Sequence, residues 1–172
     1  MNDDFYQRTQ IIIGKENIEK IKDMHIVICG IGGVGSFVLE ALARIGVGNL
    51  TIIDKDVVDA TNINRQIIAL QSTIGKYKVD VAKERILDIN PKAKVKTICI
   101  NITSDNIDEI ISIDDNIDYV VDCVDNIEAK IAIISKCNNK NIKCISCMGM
   151  GNKINPLDIR VSDIYKTNTC PL

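Results

Sequence analysis

This chain of 172 residues, 46% of them hydrophobic, is long enough for one domain with a substantial core, and its net charge of −2 gives no overall electrostatic case for binding nucleic acid. No apolar run reaches the ~18 residues that a membrane-spanning helix needs, and the polar first residues do not resemble a signal peptide. Seven cysteines without such a signal favour free thiols in a cytoplasmic protein over a disulfide framework.

Residues 1–23 are predicted to form an N-terminal helical arm. Isoleucines supply its apolar positions, and Gly14 interrupts it. Arg8 lies in a polar part of this arm, where an arginine is usually a solvated surface charge. Residues 24–172 contain no linker, internal repeat or low-complexity segment, and we expect them to form a single domain.

The clearest fold signal lies in residues 25–54. A short apolar run at 25–29 is followed by a glycine-rich turn, then by apolar residues at helical spacing over 34–45, and then by a second apolar run over 50–53. This order of strand, turn, helix and strand predicts an α/β protein. Its fold is expected to be Rossmann-like and doubly wound, with a mainly parallel sheet and helices on both faces.

The glycine-rich turn is also a candidate nucleotide site. Its members are Gly30, Gly32, Gly33 and Gly35. Glycines let the backbone approach a ligand closely, and the start of the following helix favours phosphate. Asp54 stands about 20 residues beyond the turn, where a carboxylate can accept hydrogen bonds from a ribose. The alternative is a turn that needs glycine only for tight packing.

Polar residues after the second strand are expected at the ligand-binding edge of the sheet. Asp56, Thr61 and Asn62 form a polar loop there, and residues 64–66 are predicted to begin a short helix. Residues 75–90 are predicted to form a longer helix that ends at Pro91.

Two lysines fall in the first turn of that longer helix. Lys76 and Lys78 stand where the helix dipole disfavours positive charge. A bound phosphate explains them, and so does a solvated surface pair.

The remaining elements follow in alternation. Strands are predicted at 95–100, 119–123, 143–147 and 159–161, and helices at 104–111 and 126–138. Asp122, Asp125 and Asn126 lie where the fourth strand ends. Asp125 is placed to hold a divalent cation that bridges phosphates, or to cap the next helix, or to do both.

Histidine and cysteine offer little chemistry in this sequence. His25, the lone histidine, begins a buried strand and is expected to be structural. Cys144 and Cys147 have no second pair to complete a zinc site, and on a strand they face opposite sides, so we expect buried hydrophobic roles. Cys170 lies in a polar tail, and nothing in the sequence supplies a base to activate it.

The order of several motifs resembles the ubiquitin-activating-type adenylyltransferases. The motifs are GIGGVGSFVLEALARIGVGNLTIIDKD, TNINRQ, GKYK and DCVDN. Within that superfamily, NINRQIIAL, ERILDINP and the ending KINPLDIRVSDIYKT…CPL are most similar to the tRNA threonylcarbamoyladenosine dehydratases. Such proteins usually continue past the position of Leu172, so we expect a C-terminal segment, with charge for tRNA, to be missing here.

The resemblance implies a role for each motif residue. Gly33 would lie against ATP in the glycine turn, and Asp54 would hold its ribose. The phosphates would be bound by Asn62, Arg65 and Lys78. Asp125 would bind Mg²⁺ with Asn126 beside it, and Arg8 would reach into the partner's site in a homodimer.

The implied activity is ATP-dependent adenylation of the threonylcarbamoyl carboxylate on tRNA, with Arg65, Lys78 and Asp125 as catalytic residues. The group's own nitrogen would then displace AMP and close a ring, so no enzyme cysteine is needed. The resemblance also implies ATP and Mg²⁺ as cofactors, tRNA as substrate, and a cysteine desulfurase or sulfur acceptor as a partner.

Three alternatives remain from the residues themselves. An adenylyltransferase for a ubiquitin-like sulfur carrier, of the thiamine or molybdopterin type, typically carries paired cysteine motifs that this chain lacks. An NAD-dependent oxidoreductase explains the glycines and Asp54 but gives no role to Arg65, Lys78 or Asp125. A non-catalytic nucleotide-binding or dimerisation module is the third.

Overall fold

A computed structural model describes residues 3–112, 116–149, 151, 154–155, 157 and 159–167. Within them, five parallel strands form one sheet: β1 (His25–Cys29), β2 (Asn49–Ile53), β3 (Lys94–Ile98), β4 (Tyr119–Asp122) and β5 (Lys143–Ser146). The helices are α1 (Gln7–Ile13), α2 (Lys15–Asp23), α3 (Gly35–Ile45), α4 (Lys78–Ile89), α5 (Ile107–Ser112) and α6 (Ile127–Asn139). No helix in these ranges has both the length and the apolar character to cross a membrane.

Helices cover both faces of the sheet, as the sequence predicted. Side chains of β1 alternate between two separate cores because successive residues of a strand point to opposite faces. Ile26 and Ile28 belong to the core shared with α3 and α4, whereas Val27 and Cys29 belong to the core shared with α5 and α6. The predicted α/β, doubly wound fold is therefore confirmed.

The order of the strands determines where a ligand can bind. The sheet runs β3-β2-β1-β4-β5, so the chain moves outward from β1 in one direction and then resumes on its other side with β4. In doubly wound sheets the crevice at such a reversal, outside the carboxyl ends of the strands, is the usual ligand site. The turn after β1 and the loop after β4 meet there.

An ion-pair group fastens α3 to α4. The Glu40 carboxylate accepts hydrogen bonds from Arg85 Nε at 2.6 Å and from Arg44 Nε at 2.7 Å. The hydrogen bond from Arg85, aided by Arg44, lowers the pKa of Glu40. Helix α3 then ends at Gly46, whose left-handed backbone (φ 96°) returns its N–H to the carbonyls of the last turn.

The N-terminal arm is helical over residues 7–23, as predicted, with a break at Gly14 (φ 82°). Helix α2 packs on the domain through the buried Ile18. The first helix leaves its apolar side uncovered, since Ile11 and Ile12 are exposed. The arm is thus attached through α2 and through Tyr6, which precedes α1 and is buried against Gly46.

Two of the elements predicted from the sequence do not form. Residues 159–161, predicted as a sixth strand, form no regular structure, and their exposed side chains lie on no sheet edge. Residues 64–66, predicted to begin a helix, lie in a turn. A short 3-10 helix precedes them at Ala60–Asn62, and Asp59 begins it by accepting a hydrogen bond from the Thr61 N–H.

Candidate nucleotide-binding site

A cavity of about 890 Å³ opens at the carboxyl edge of the sheet, which is a usual size for a small-molecule site. The ends of β1, β2, β4 and β5 contribute to its walls, together with the first turn of α4. Most of the residues predicted from the sequence to bind nucleotide line it. They are Gly30, Gly32, Gly33, Asp54, Asn62, Arg65, Lys78, Asp125 and Asn126.

The four glycines of the turn divide into two groups. A Cβ on Gly35 would lie 1.9 Å from the Gly30 carbonyl oxygen, and Gly30 itself has a left-handed backbone (φ 87°), so chain packing alone requires both. Gly32 and Gly33 have ordinary room for a Cβ and line the cavity. Packing within the described part of the chain therefore does not require glycine at these two positions.

Asp54 connects the end of β2 to the glycine turn. Its Oδ2 accepts a hydrogen bond from the Ile31 N–H at 2.6 Å, and its Oδ1 accepts one from the Asp56 N–H at 2.8 Å. Because an ionised carboxylate has about four acceptor positions, two remain for ligand hydroxyl groups. The carboxylate therefore both shapes the turn and faces the cavity.

The two predicted lysines have different environments. Helix α4 begins at Lys78, so Lys76 precedes it and is exposed, which corrects the predicted start at residue 75. Lys78 is only 5% exposed, and its Nζ lies 2.9 Å from Oδ2 of Asp56, in the cavity wall. The solvated surface interpretation therefore holds for Lys76 and is wrong for Lys78.

Arg65 and Asn62 belong to the turn that follows the 3-10 helix. The exposed Arg65 guanidinium donates to the carbonyl of Thr61 and to the side chain of Asn64, both at 2.9 Å, and its stem lies beside Gly33. Asn62 is buried, and its side-chain oxygen accepts a hydrogen bond from the Asp59 N–H at 3.1 Å. The turn thus places a guanidinium at the cavity rim.

At the end of β4, capping of the next helix and a candidate place for a cation fall on two neighbouring residues, Asn126 and Asp125. Asn126 caps α6 by accepting a hydrogen bond from the Ala129 N–H at 2.9 Å. The predicted capping role for Asp125 is therefore wrong. Asp125 is exposed in the cavity wall, and among the described residues none donates a hydrogen bond to its carboxylate. Its oxygens are available to a cation.

Comparison with known proteins agrees with this geometry. Residues 6–167 match the ThiF family. The chain belongs to the ThiF family. It is 44% identical over 97% of its length to the tRNA threonylcarbamoyladenosine dehydratase of Bacillus subtilis, and 39% identical over 95% to that of Escherichia coli. It spans 65% and 60% of those two relatives, respectively.

Solved structures give the same result. The E. coli tRNA N6-threonylcarbamoyladenosine dehydratase in complex with ATP superposes with a TM-score of 0.94 at 40% identity, covering 99% of this chain and 71% of that one. Its complex with AMP gives a TM-score of 0.93 at 39% identity, covering 99% of this chain and 70% of that chain. These matches confirm the family resemblance read from the motifs.

Gln66 is a further candidate in this ThiF-family site, which the sequence alone did not single out. Its side chain is 6% exposed and lines the cavity beside Gly32, and its Oε1 has no hydrogen-bond partner among the described residues. A buried amide oxygen without a partner is costly, and a ligand or an ordered water would relieve that cost. The one signal for Gln66 in the sequence is that it directly follows Arg65.

Asp122 forms a buried ion pair with Lys130, which the sequence alone did not indicate. Asp122 and Lys130 are 0% and 3% exposed, and Lys130 Nζ lies 2.6 Å from Asp122 Oδ2. The same ammonium donates to the Cys147 carbonyl at 3.0 Å, and Ser146 Oγ donates to Asp122. This buried pair supports the loop after β5, which forms part of the cavity wall.

Four of the described cysteines form two neighbouring pairs, Cys137 with Cys144 and Cys123 with Cys147. Cys144 was predicted to be a buried hydrophobic residue, and it is partly buried against the core shared with α5 and α6, called the second core below. Cys147 does not pack there, because it follows the last residue of β5 and lines the cavity, half-buried, with its Sγ 4.0 Å from that of Cys123. A hydrogen bond from Cys123 lowers the pKa of Cys147 to about 7. Cys170 lies outside the described residues.

Two further predicted residues lie away from the cavity. His25 is buried at the amino end of β1, where its Nε2 lies 2.9 Å from Thr51 Oγ1, which confirms its structural place. Arg8 is exposed on α1 and does not line the cavity of its own chain.

Proposed function

We propose that the chain binds ATP and adenylates the carboxylate of a threonylcarbamoyl group on tRNA, which then cyclises with net loss of water. The observation that carries the proposal is the convergence of Arg65, Lys78 and Asp125 on one glycine-lined cavity. The similarity to dehydratases of known name, one of them solved with ATP, supports it. The chain covers only part of those relatives, so activity, substrate and partners are proposals here.

The cavity wall provides a complementary group for each part of ATP. Phosphates over Gly32 and Gly33 would face the start of α3, whose N–H groups favour anions. The carboxylate of Asp54 would accept hydrogen bonds from the ribose, and its position at the end of β2 suits that role. Gln66, with its unpartnered oxygen, would meet a donor of the ligand or a water.

Arg65 and Lys78 would stabilise the charge that develops in the reaction. A substrate carboxylate oxygen attacks the α-phosphorus, and the bond to pyrophosphate breaks. Arg65 offers a planar fork that matches phosphate oxygens, and Lys78 offers a compact positive charge. Charged hydrogen bonds contribute roughly 1.5–3 kcal/mol each, so two of them account for several powers of ten in rate.

Magnesium fits the donor set of this cavity. Among the described residues no group of three His, Cys, Asp or Glu forms a complete metal site. Mg²⁺ needs less, because one or two carboxylates and substrate phosphates commonly hold it. Asp125 would be the protein ligand, with Asn126 beside it. Bound there, the ion would neutralise negative charge on the phosphates.

Ring closure asks little of the chain beyond holding the substrate. The nitrogen of the threonylcarbamoyl group attacks its own activated carbon, the bond to AMP breaks, and the carboxylate oxygen leaves on AMP. Because the attack is intramolecular, no enzyme nucleophile is required. The proposal therefore gives no covalent role to Cys123, Cys147 or Cys170.

Assembly belongs to the proposal as well. Arg8 lies outside its own cavity and on a helix with an uncovered apolar side. A homodimer in which α1 crosses to the other subunit would bring Arg8 to the partner's phosphates and cover Ile11 and Ile12. A cysteine desulfurase or sulfur acceptor as partner, and a cytoplasmic location, complete the proposal.

The test is AMP release with tRNA that carries threonylcarbamoyladenosine. With Mg²⁺ and ATP, we expect AMP to be released in proportion to the threonylcarbamoyladenosine that reacts, and this nucleoside to lose the mass of one water. Lys78→Ala should remove AMP release, while the matched Lys76→Ala, an exposed lysine outside the cavity, should keep it. The proposal would be contradicted by equal AMP release with tRNA that lacks the threonylcarbamoyl group. It would also be contradicted if the unsubstituted chain released no more AMP than Lys78→Ala.

A further inference from the structure

Two cysteines meet in the wall of the cavity, at the ends of neighbouring strands. Strands β4 and β5 pair in parallel with Asp122 opposite Ser146, so the residues that follow each of them also face each other. These are Cys123 and Cys147, and their Sγ atoms are 4.0 Å apart. The Cys123 N–H donates to the Cys29 carbonyl and the Cys147 N–H donates to the Asp122 carbonyl, both at 2.8 Å, so both residues continue the hydrogen bonding of the sheet.

Their surroundings distinguish this pair from the other thiols of the chain. Cys123 and Cys147 are half-buried and both line the cavity, so a small solute that enters it reaches them. The hydrogen bond from Cys123, more than the charge of Lys130, lowers the pKa of Cys147, which raises its share of reactive thiolate near neutral pH. Cys137 and Cys144 also contact each other, but they lie in the second core and not in the cavity wall.

We propose that Cys123 and Cys147 are an oxidation site that forms an intramolecular disulfide and thereby lowers the affinity of the cavity for nucleotide. The oxidant is a peroxide. The Cys147 thiolate attacks one peroxide oxygen, an S–O bond forms, the O–O bond breaks, and the other oxygen leaves as hydroxide, so Cys147 becomes a sulfenic acid. The Cys123 sulfur then attacks the Cys147 sulfur, the S–S bond forms, the S–O bond breaks, and the oxygen leaves as water with the Cys123 thiol proton. Both sulfurs are oxidised by one electron each, and the peroxide is reduced to water.

The effect on nucleotide follows from what Cys123 contacts. A disulfide requires an S–S separation of about 2.05 Å, so the sulfurs must approach by roughly half their present distance. A Cβ added at Gly35 would lie 3.2 Å from the Cβ of Cys123, and a Cβ added at Gly30 would lie 3.0 Å from the Cys123 carbonyl oxygen, so Cys123 is packed closely against the glycine turn. Movement of Cys123 therefore displaces the glycine turn, and it also moves Asp125, two residues further along.

This inference rests on the proposed ATP site, and its test measures the disulfide and the binding separately. The reduced chain is treated with hydrogen peroxide, mapped by fragmentation mass spectrometry of its peptides, and titrated calorimetrically with ATP and Mg²⁺. We expect a linked Cys123–Cys147 peptide, loss of the mass of two hydrogen atoms, and a roughly tenfold lower ATP affinity, the effect of losing about one charged contact. Dithiothreitol should restore binding.

Each variant is compared with its own reduced form. Cys147→Ser and Cys123→Ala should each remove the peroxide effect on binding, whereas Cys144→Ser, which changes the neighbouring thiol outside the cavity, should retain it. Failure to find the linked peptide would overturn the inference, and so would a linked peptide with unchanged ATP affinity. If the reduced chain bound no ATP, the effect on binding would fall with the proposed function, while the peptide map would still decide whether the disulfide forms.

Discussion

Two lysines are buried at the carboxyl edge of the sheet, each against an aspartate, and the two pairs differ in what surrounds them. In the closed pair, Lys130 and Asp122 are both inaccessible, and Lys130 also donates to the Cys147 carbonyl and contacts Ser146. In the open pair, Lys78 is buried, but the side chain of Asp56 is 51% exposed in the cavity wall. The closed pair is satisfied by the chain alone, and the open pair has room for a further anion.

The difference indicates which charges build the site and which are offered to a ligand. A fully buried ion pair is stable only when its remaining hydrogen-bonding groups are also satisfied, and the closed pair meets that condition. The lysine of the open pair is held by one half-exposed carboxylate, which a phosphate can supplement or replace. The glycines of the turn divide in the same way, between Gly30 and Gly35, which packing requires, and Gly32 and Gly33, which it does not.

The largest effect is expected from breaking the closed pair. Lys130→Met would leave the Asp122 carboxylate buried without its cation, and losing one partner of such a pair costs about 3–5 kcal/mol of unfolding free energy. Urea denaturation measures this. Lys140→Met, a change just beyond the same helix at an exposed position, is the control and should change stability little. A loss for Lys130→Met as small as that of the control would mean that the pair is not closed.

The glycine turn offers the next largest effect. Gly35→Ala places a Cβ 1.9 Å from a backbone oxygen, and overpacking of this kind typically costs about 1–3 kcal/mol or more of stability. Gly33→Ala meets only ordinary contacts, so it should fold normally and reduce ATP affinity instead. Thermal denaturation and ATP titration of both variants measure the two effects. The division of the glycines is refuted if Gly33→Ala unfolds as readily as Gly35→Ala.

Removing the charge of the open pair should affect binding more than folding. Lys78→Met leaves Asp56 half exposed to water, while it would remove the proposed charged contact to phosphate, worth roughly 1.5–3 kcal/mol, or about ten- to a hundredfold in ATP affinity. Calorimetry with ATP tests this, with Lys76→Met as the matched control. If the two variants bound ATP equally well, Lys78 would have no part in the site.

The smallest effect is expected for Glu40, which lies between α3 and α4, away from the cavity wall. Glu40→Gln should lower the unfolding free energy by about 1–2 kcal/mol at neutral pH, from weakened charged hydrogen bonds, and leave ATP affinity unchanged. Because Arg85 and Arg44 lower the folded-state pKa of Glu40, its contribution is complete above its ordinary value of 4.5 and disappears as the pH falls through the lowered value. Urea denaturation at several pH values measures how much lower the unfolding free energy of Glu40→Gln is than that of the unsubstituted chain. We expect this difference to shrink in acid. A difference that stays constant with pH would rule out the ion pair as its source.

Much of this site could be predicted from local sequence because it depends on backbone geometry. The turn at residues 30–35 follows a strand and begins a helix, and parallel strands bring their carboxyl ends to one edge. Chain order alone is therefore enough to place Asp54 and Asp125 near the turn. The same rules predicted the two-sided sheet.

What could not be predicted depends on side-chain reach and competition between neighbours. Whether Asp125 or Asn126 caps α6 depends on which backbone begins the helix, and sequence alone did not separate them. The contact of Lys130 with Asp122 and the burial of Gln66 need the packed helices. The predicted strand at 159–161 is wrong because a short strand forms only where it pairs with the edge of a sheet, and these residues lie on no such edge.

The proposed adenylation site can be tested by calorimetric titration of the chain with ATP and Mg²⁺, alongside AMP and NAD. We expect ATP to bind, NAD not to bind, and Asp125→Asn to weaken ATP binding more than AMP binding, since AMP lacks the phosphates that a cation would bridge. Binding of NAD in place of ATP, or equal weakening of ATP and AMP in Asp125→Asn, would contradict the proposed site.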